Sequence, residues 1–201
     1  MNPRTSCSLV VLLMSTFALG AVATGAGAAM PLPQVWTGVL EVPADNQKIG
    51  AVQDIEVNVW AQSSAEEIQA LGTTLHLDGQ NGLRPAMFKL EHKAWVRIGR
   101  AAATDVGLVR VVDLPDGSRR LRLVSAHPVR MLDSSDSVGS NEHPFGFIEM
   151  IVHSDGTTEG QMLSAASITF ADAGTIQIQS AGAPAVPILD VTVELKASAA
   201  N

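Results

Sequence analysis

The clearest period-two stretch in the chain is residues 54–60 (DIEVNVW), where Ile55, Val57 and Val59 fall on one face and Glu56 and Asn58 on the other. That alternation is the pattern of a half-buried strand. Residues 35–42 precede it as another strand candidate, stopped by Pro43 and the polar turn Ala44-Asp45-Asn46. The period then lengthens. Ser64 and Glu67 stand at capping-box spacing, and Ala65, Ile68, Leu71 and Leu75 recur every three or four residues. Gly79 is placed to stop that helix, and a second short helix is expected over residues 83–91, with Pro85 near its start.

Beyond this insert the pattern returns to strands, expected at residues 94–99, 107–114, 119–125, 145–153, 158–170, 174–180 and 188–195. Pro115-Asp116-Gly117-Ser118, Ser154-Asp155-Gly156-Thr157 and Asp172-Ala173-Gly174 are turn sequences between neighbours. Successive strands with short turns predict an α+β fold that is mostly β. It is an antiparallel meander, closed as a barrel or folded as a sandwich, with a short helical insert near residues 64–91 packed on one end. Helices do not alternate with strands, which argues against a parallel α/β sheet, and no repeat of 20 to 50 residues is visible.

The first 29 residues do not belong to that pattern. Arg4 supplies a positive start, residues 9–19 (LVVLLMSTFAL) form an apolar stretch, and small residues follow to Ala29. This order reads as a cleavable signal peptide and an export route, periplasmic or secreted. Gly20, Gly25 and Gly27 weaken the alternative of a spanning helix, so no stable membrane anchor is expected after cleavage. Residues 30–34 form a loose leader, residues 35–196 one β-rich domain, and residues 197–201 a tail. Cleavage would remove Cys7, the single cysteine, and with it any disulfide or thiolate ligand. It would also leave 12 Lys+Arg against 20 Asp+Glu, an acidic balance that argues against nucleic acid as a partner.

Candidate chemistry gathers in one polar loop, residues 127–144, which carries His127, Arg130, Asp133, Asp136, Glu142 and His143. Histidine beside carboxylates can supply a general base and its orienter, which makes His127, His143, Asp133 and Glu142 the weak catalytic candidates. The two imidazoles are 16 residues apart and each adjoins a proline, unlike the close spacing of a zinc site, so neither metal nor cofactor is expected. Four-residue spacing puts Glu149 and His153 on one strand face as a solvent-side pair. His76 and His92 fall in the helical segments without evident partners. The run Arg119-Arg120-x-Arg122 is expected on a solvated strand face opposite Asp113 or glutamates. There is no Gly-x-Ser-x-Gly elbow, no phosphate-binding Gly-Lys-Ser/Thr, no His-Glu-x-x-His and no calcium loop.

Trp60-x-x-Ser63 with Glu66, Asp116-Gly117-x-Arg119-Arg120, Pro144-Phe145-x-Phe147-Ile148-Glu149, Gly156 and Gly160 together resemble landmarks of uncharacterised secreted proteins from soil bacteria. The resemblance spans residues 54–193. It implies export and a single domain, and it implies no activity. Three functions follow as expectations. The first is a non-enzymatic envelope protein binding a partner protein or a small apolar ligand, since a small barrel can enclose one. The second is a structural domain of an envelope assembly. The third is a hydrolase or isomerase using His127 or His143 with a nearby carboxylate.

Overall fold

Alternation along β1 (Gln34–Glu41) buries Gln34, Trp36 and Leu40 on one face and turns Val35, Thr37, Val39 and Glu41 to the other. The computed structural model describes residues 32–41, 52–129, 142–171, 175–180 and 184–195; the first 29 residues, the last six and most of the polar loop lie outside them. After β1 come β2 (Val52–Val59), α1 (Ala65–Phe88), β3 (Ala94–Ile98), β4 (Thr104–Val106), β5 (Leu108–Asp113) and β6 (Arg119–Ser125). They are followed by β7 (Phe145–Val152), β8 (Thr158–Ala171), β9 (Thr175–Ser180) and β10 (Val186–Leu195).

Every described pairing is antiparallel, in the order β4-β3-β2-β1-β10-β8-β7-β6-β5. The two ends of that path, β4 and β5, are separated in the chain by Gly107 alone. The sheet therefore comes round on itself as a nearly closed up-and-down barrel, which resolves the choice between barrel and sandwich. β4 has three residues, too few to show a period, and the sequence pattern missed it. Beyond β7, the far half of β8 pairs with β9 as a hairpin that continues past the barrel.

Inward residues from around the barrel meet in one cluster that includes Trp36, Leu40, Ile55, Val57, Leu121, Leu123, Ile148, Met150, Met162 and Ile188. Their near-complete burial makes the interior a packed core. A second cluster lies outside the wall. There Ile68, Leu71, Leu83 and Met87 of α1 cover Leu108, Val124, Phe145, Phe147, Ala166 and Ile168.

Local chemistry sets the course of α1. Ser64 accepts from the Glu67 amide at 3.2 Å, and the Glu67 carboxylate accepts from the Ser64 amide at 2.8 Å, which is the anticipated capping box. Gly79, at φ 64 and ψ −161, breaks the helix where a side chain would be strained. The second segment starts directly after it, earlier than expected, so Pro85 falls inside the segment rather than at its start. Packing of Leu83 and Met87 on the wall decides that, since both are buried. At the break, the Gln80 amide donates to the Ile168 carbonyl at 2.6 Å and accepts from the Ile168 amide at 3.2 Å. It thereby takes the place of a neighbouring strand along β8.

The start of α1 is tied to β3 by Lys93, a buried ammonium that donates to Glu67 at 2.8 Å and to the Glu91 carbonyl at 3.2 Å. Desolvation acts to raise the Glu67 pKa, but the hydrogen bonds from Lys93 and the Ser64 amide outweigh it and leave the carboxyl below its ordinary 4.5. A carboxyl lowered by folding contributes stability above its unfolded value and loses it as pH falls through the folded value. Glu67→Gln is therefore expected to cost about 1–3 kcal/mol at neutral pH. It should also flatten the loss of stability below pH 4.5, measured by urea unfolding across the acid range.

Candidate functional site

In an up-and-down barrel, strand ends of alternate polarity collect at one rim. Here the starts of β1, β3, β6 and β8 and the ends of β2, β5, β7 and β10 share one end of the barrel, the lower mouth. β1 and β10 pair side by side there. Asp190 takes φ 51 in β10, beside the register shift between Thr37 and Val39. After that irregularity Val191, Val193 and Leu195 share one parity. Val191 is buried in the core, Val193 lies opposite Trp36, and Leu195 lies opposite Gln34. Val193 and Leu195 thus continue the inward face, yet they are 36% and 65% exposed.

Leu32, Val111 and Val152 pack partly buried against the same core cluster and complete an apolar rim. Asp113 and Arg119, opposite each other at the ends of β5 and β6, pair at 2.8 Å beside it. Beneath the rim are Gln34 and Trp36, with 6% and 1% exposure. The Gln34 Oε1 acceptor and the Trp36 Nε1 donor are buried with no hydrogen-bond partner. A buried polar atom left unpaired costs on the order of 1–3 kcal/mol; Gln53 Oε1 and Arg120 Nε share that state elsewhere in the barrel, and at the lower mouth it is this pair of atoms that packing alone does not explain. Sequence reasoning missed it because β1 was started one residue late, which left Gln34 in the leader. The parity of Trp36 with Leu40 was the signal available.

The residues singled out in the sequence go elsewhere. His127 meets the Phe88 ring edge to face, with centroids 4.5 Å apart at 67°. Arg84 Nη2 lies 3.1 Å from its Nδ1, while Arg84 Nε donates to the Ala126 carbonyl at 3.1 Å. A guanidinium has no acceptor, so Nδ1 accepts and the imidazole proton sits on Nε2. His127 is thereby held to the end of α1. His143 is half-buried and Glu142 exposed at the start of β7, while Asp133 lies outside the described residues, as do Arg130 and Asp136. Among the described residues no group of three or more His, Cys, Asp or Glu is placed to hold a metal ion.

The anticipated Glu149–His153 pair does not form. Glu149 is buried on the outer wall, accepting from Arg122 Nε at 2.6 Å and Gln161 Nε2 at 3.1 Å, with Arg120 Nε at 3.6 Å. β7 ends at Val152, and His153 turns instead to Glu159 at 3.5 Å. The basic run therefore faces acidic partners as expected, with Arg119 on Asp113, but Arg122 and Glu149 are largely buried and not on a solvated face. His92 lies beyond the helix and meets Asp105 at 3.3 Å. An outer recess of about 440 Å³ beside β1–β3 is lined by Asp54, Glu56, Arg97 and Asp190 among others, and Glu56 and Arg97 pair within it.

Ser63, Trp60, Phe145 and Phe147 are joints in this fold. Ser63 donates its amide to the Val109 carbonyl at 2.8 Å and accepts the Val109 amide on Oγ at 3.1 Å, beside the Gly107 junction. Trp60 Nε1 donates to the His92 carbonyl at 3.0 Å, and Phe145 and Phe147 underlie α1. Fold and site together define a small, nearly closed antiparallel barrel with a filled core, a helix on its flank and an apolar rim at one end. Comparison of the chain with protein-family models, curated proteins and solved structures finds no match.

Proposed function

We propose that this is an exported, non-enzymatic binding protein that takes a small, largely apolar ligand at the lower mouth of its barrel. The observation that carries the reading is the exposure of Val193 and Leu195 at positions whose parity faces inward, beside half-buried Leu32, Val111 and Val152. Apolar surface removed from water contributes roughly 25 cal/mol per Å², so a ligand covering this rim gains affinity from side chains that already border the core. With Leu121, Leu123, Met150 and Met162 filling the interior, the ligand rests at the mouth and not deep inside. Export is supported by the order of charge, apolar stretch and small residues over the first 29 positions.

The test is titration of the mature protein with an apolar, environment-sensitive fluorescent probe. The double variant Val193→Asp, Leu195→Asp is expected to weaken probe binding by at least about tenfold, since two charges would have to be desolvated under the ligand. Its unfolding midpoint should stay close to that of the parent. Absence of probe binding in the parent, or equal binding in the variant, would sink the reading.

A second reading, a structural role in an envelope assembly, is favoured by β9. Among the described residues Thr175–Ser180 pairs with β8 alone and leaves its other edge open. That reading expects concentration-dependent self-association that the two mouth substitutions leave intact.

A further inference from the structure

We infer that the ligand of the lower mouth is an amphiphile with a hydroxyl-like head, a group that both donates and accepts, received by Gln34 and Trp36. The inference rests on the proposed mouth site and names the chemistry it would recognise.

The two orphaned atoms are of opposite kind. Trp36 Nε1 is a donor with no acceptor, and Gln34 Oε1 is an acceptor with no donor. They belong to residues two apart on one strand, so both side chains stand on the inner face of β1. Around them the wall is hydrocarbon. Val57 and Val59 lie opposite on β2, and Val193 and Leu195 opposite on β10. No side chain in those registers can answer either atom. A hydroxyl can answer both, accepting from the indole N–H and donating to the amide oxygen. A carboxylate would accept from Trp36 but would face the Gln34 oxygen with a second oxygen, and a cationic amine would offer Trp36 no acceptor. Both charged ends are therefore disfavoured at these two buried atoms, as the desolvation of an ion there also dictates.

The remaining part of the ligand follows from the rim. Gln34 and Trp36 are almost fully buried, whereas their β10 partners become progressively exposed, from Val193 to Leu195. Polarity thus decreases from the inner atoms outward along β10. The head enters first and a short aliphatic chain lies along Val193 and Leu195, with Leu32 beside it. The charged pair Asp113–Arg119 lies at the ends of β5 and β6, away from the β1–β10 seam. It leaves the apolar track free of charge.

The experiment compares 1-hexanol with hexyl methyl ether on the mature full-length chain. The ether keeps the oxygen that Trp36 can address and lacks the proton that Gln34 requires. Binding is read from the indole N–H resonance of Trp36 in ¹⁵N–¹H spectra; the chain has three tryptophans, so three such signals are assigned by single Trp→Phe changes. The alcohol is expected to shift the Trp36 signal and to bind roughly 3- to 10-fold more tightly than the ether, the range of one neutral hydrogen bond. In Gln34→Leu, which keeps the bulk and removes the acceptor, that preference should fall to about one. Equal affinity for alcohol and ether in the parent, or a preference that survives Gln34→Leu, overturns the hydroxyl inference and leaves the mouth site standing. If neither compound moves the Trp36 signal and the probe does not bind, the mouth site itself is lost.

Discussion

Trp36→Ala is expected to lower the free energy of unfolding by about 3–5 kcal/mol, the loss that follows when a large aromatic is removed from a packed core. Trp36 is among the largest side chains buried in the barrel, at 1% exposure, and it sits where β1 joins β2 to β10. The hole would open between Val57 and Val193, on walls held by backbone hydrogen bonds that limit collapse. Urea unfolding followed by far-ultraviolet circular dichroism checks it. A loss below about 1 kcal/mol would mean that the indole is not an interior pillar. Trp36→Phe gives the complementary measurement. It removes the unpaired N–H with a smaller loss of volume, so its cost should be clearly less than that of the alanine variant.

Phe145→Ala should cost a similar amount, about 3–5 kcal/mol, for a different reason. Phe145 is fully buried outside the barrel wall, beneath α1, in the cluster that contains Leu83 and Met87. Its removal loosens the helix from the wall while the inward cluster keeps its own side chains. Amide exchange should therefore accelerate in α1 before it does in β1 and β2, which hydrogen exchange resolves segment by segment. Uniform acceleration across all strands would show that the flank and the barrel unfold as one unit. Gln80 gives the same interface a polar anchor through Ile168, so the detached state also leaves those two backbone groups to water.

The places where sequence reasoning succeeded share a physical cause. Period-two alternation in residues 54–60 is a local property of a strand with one face buried, and β2 carries it with Ile55, Val57 and Val59 inward. The capping box at Ser64 and Glu67 needs no tertiary partner, and it forms as read. Turns containing Asp116-Gly117 and Asp155-Gly156 follow from backbone preference, with Gly117 and Gly156 at φ 82 and 86.

The places where it failed depended on what came to lie alongside. Glu149 and His153 share a spacing, yet Arg122 and Gln161 on the neighbouring strands claim Glu149 at 2.6 and 3.1 Å. His127 was a catalytic candidate for its neighbours in sequence, and in the fold it serves Phe88 and Arg84 of the helix. No spacing rule announces such partners, because they arrive from residues 12 to 43 positions away.

By itself, then, the sequence determined every strand but β4, the capped helix and the predominance of antiparallel β structure, since these follow from side-chain periodicity and backbone preference within a few residues. Only the tertiary structure decided that the meander closes. That closure depends on Gly107 letting one run of chain pair with β3 before it and β6 after it. The mouth was decided in the same way. The meeting of β1 with β10, at opposite ends of the domain, puts exposed Val193 and Leu195 beside the unpaired atoms of Trp36 and Gln34.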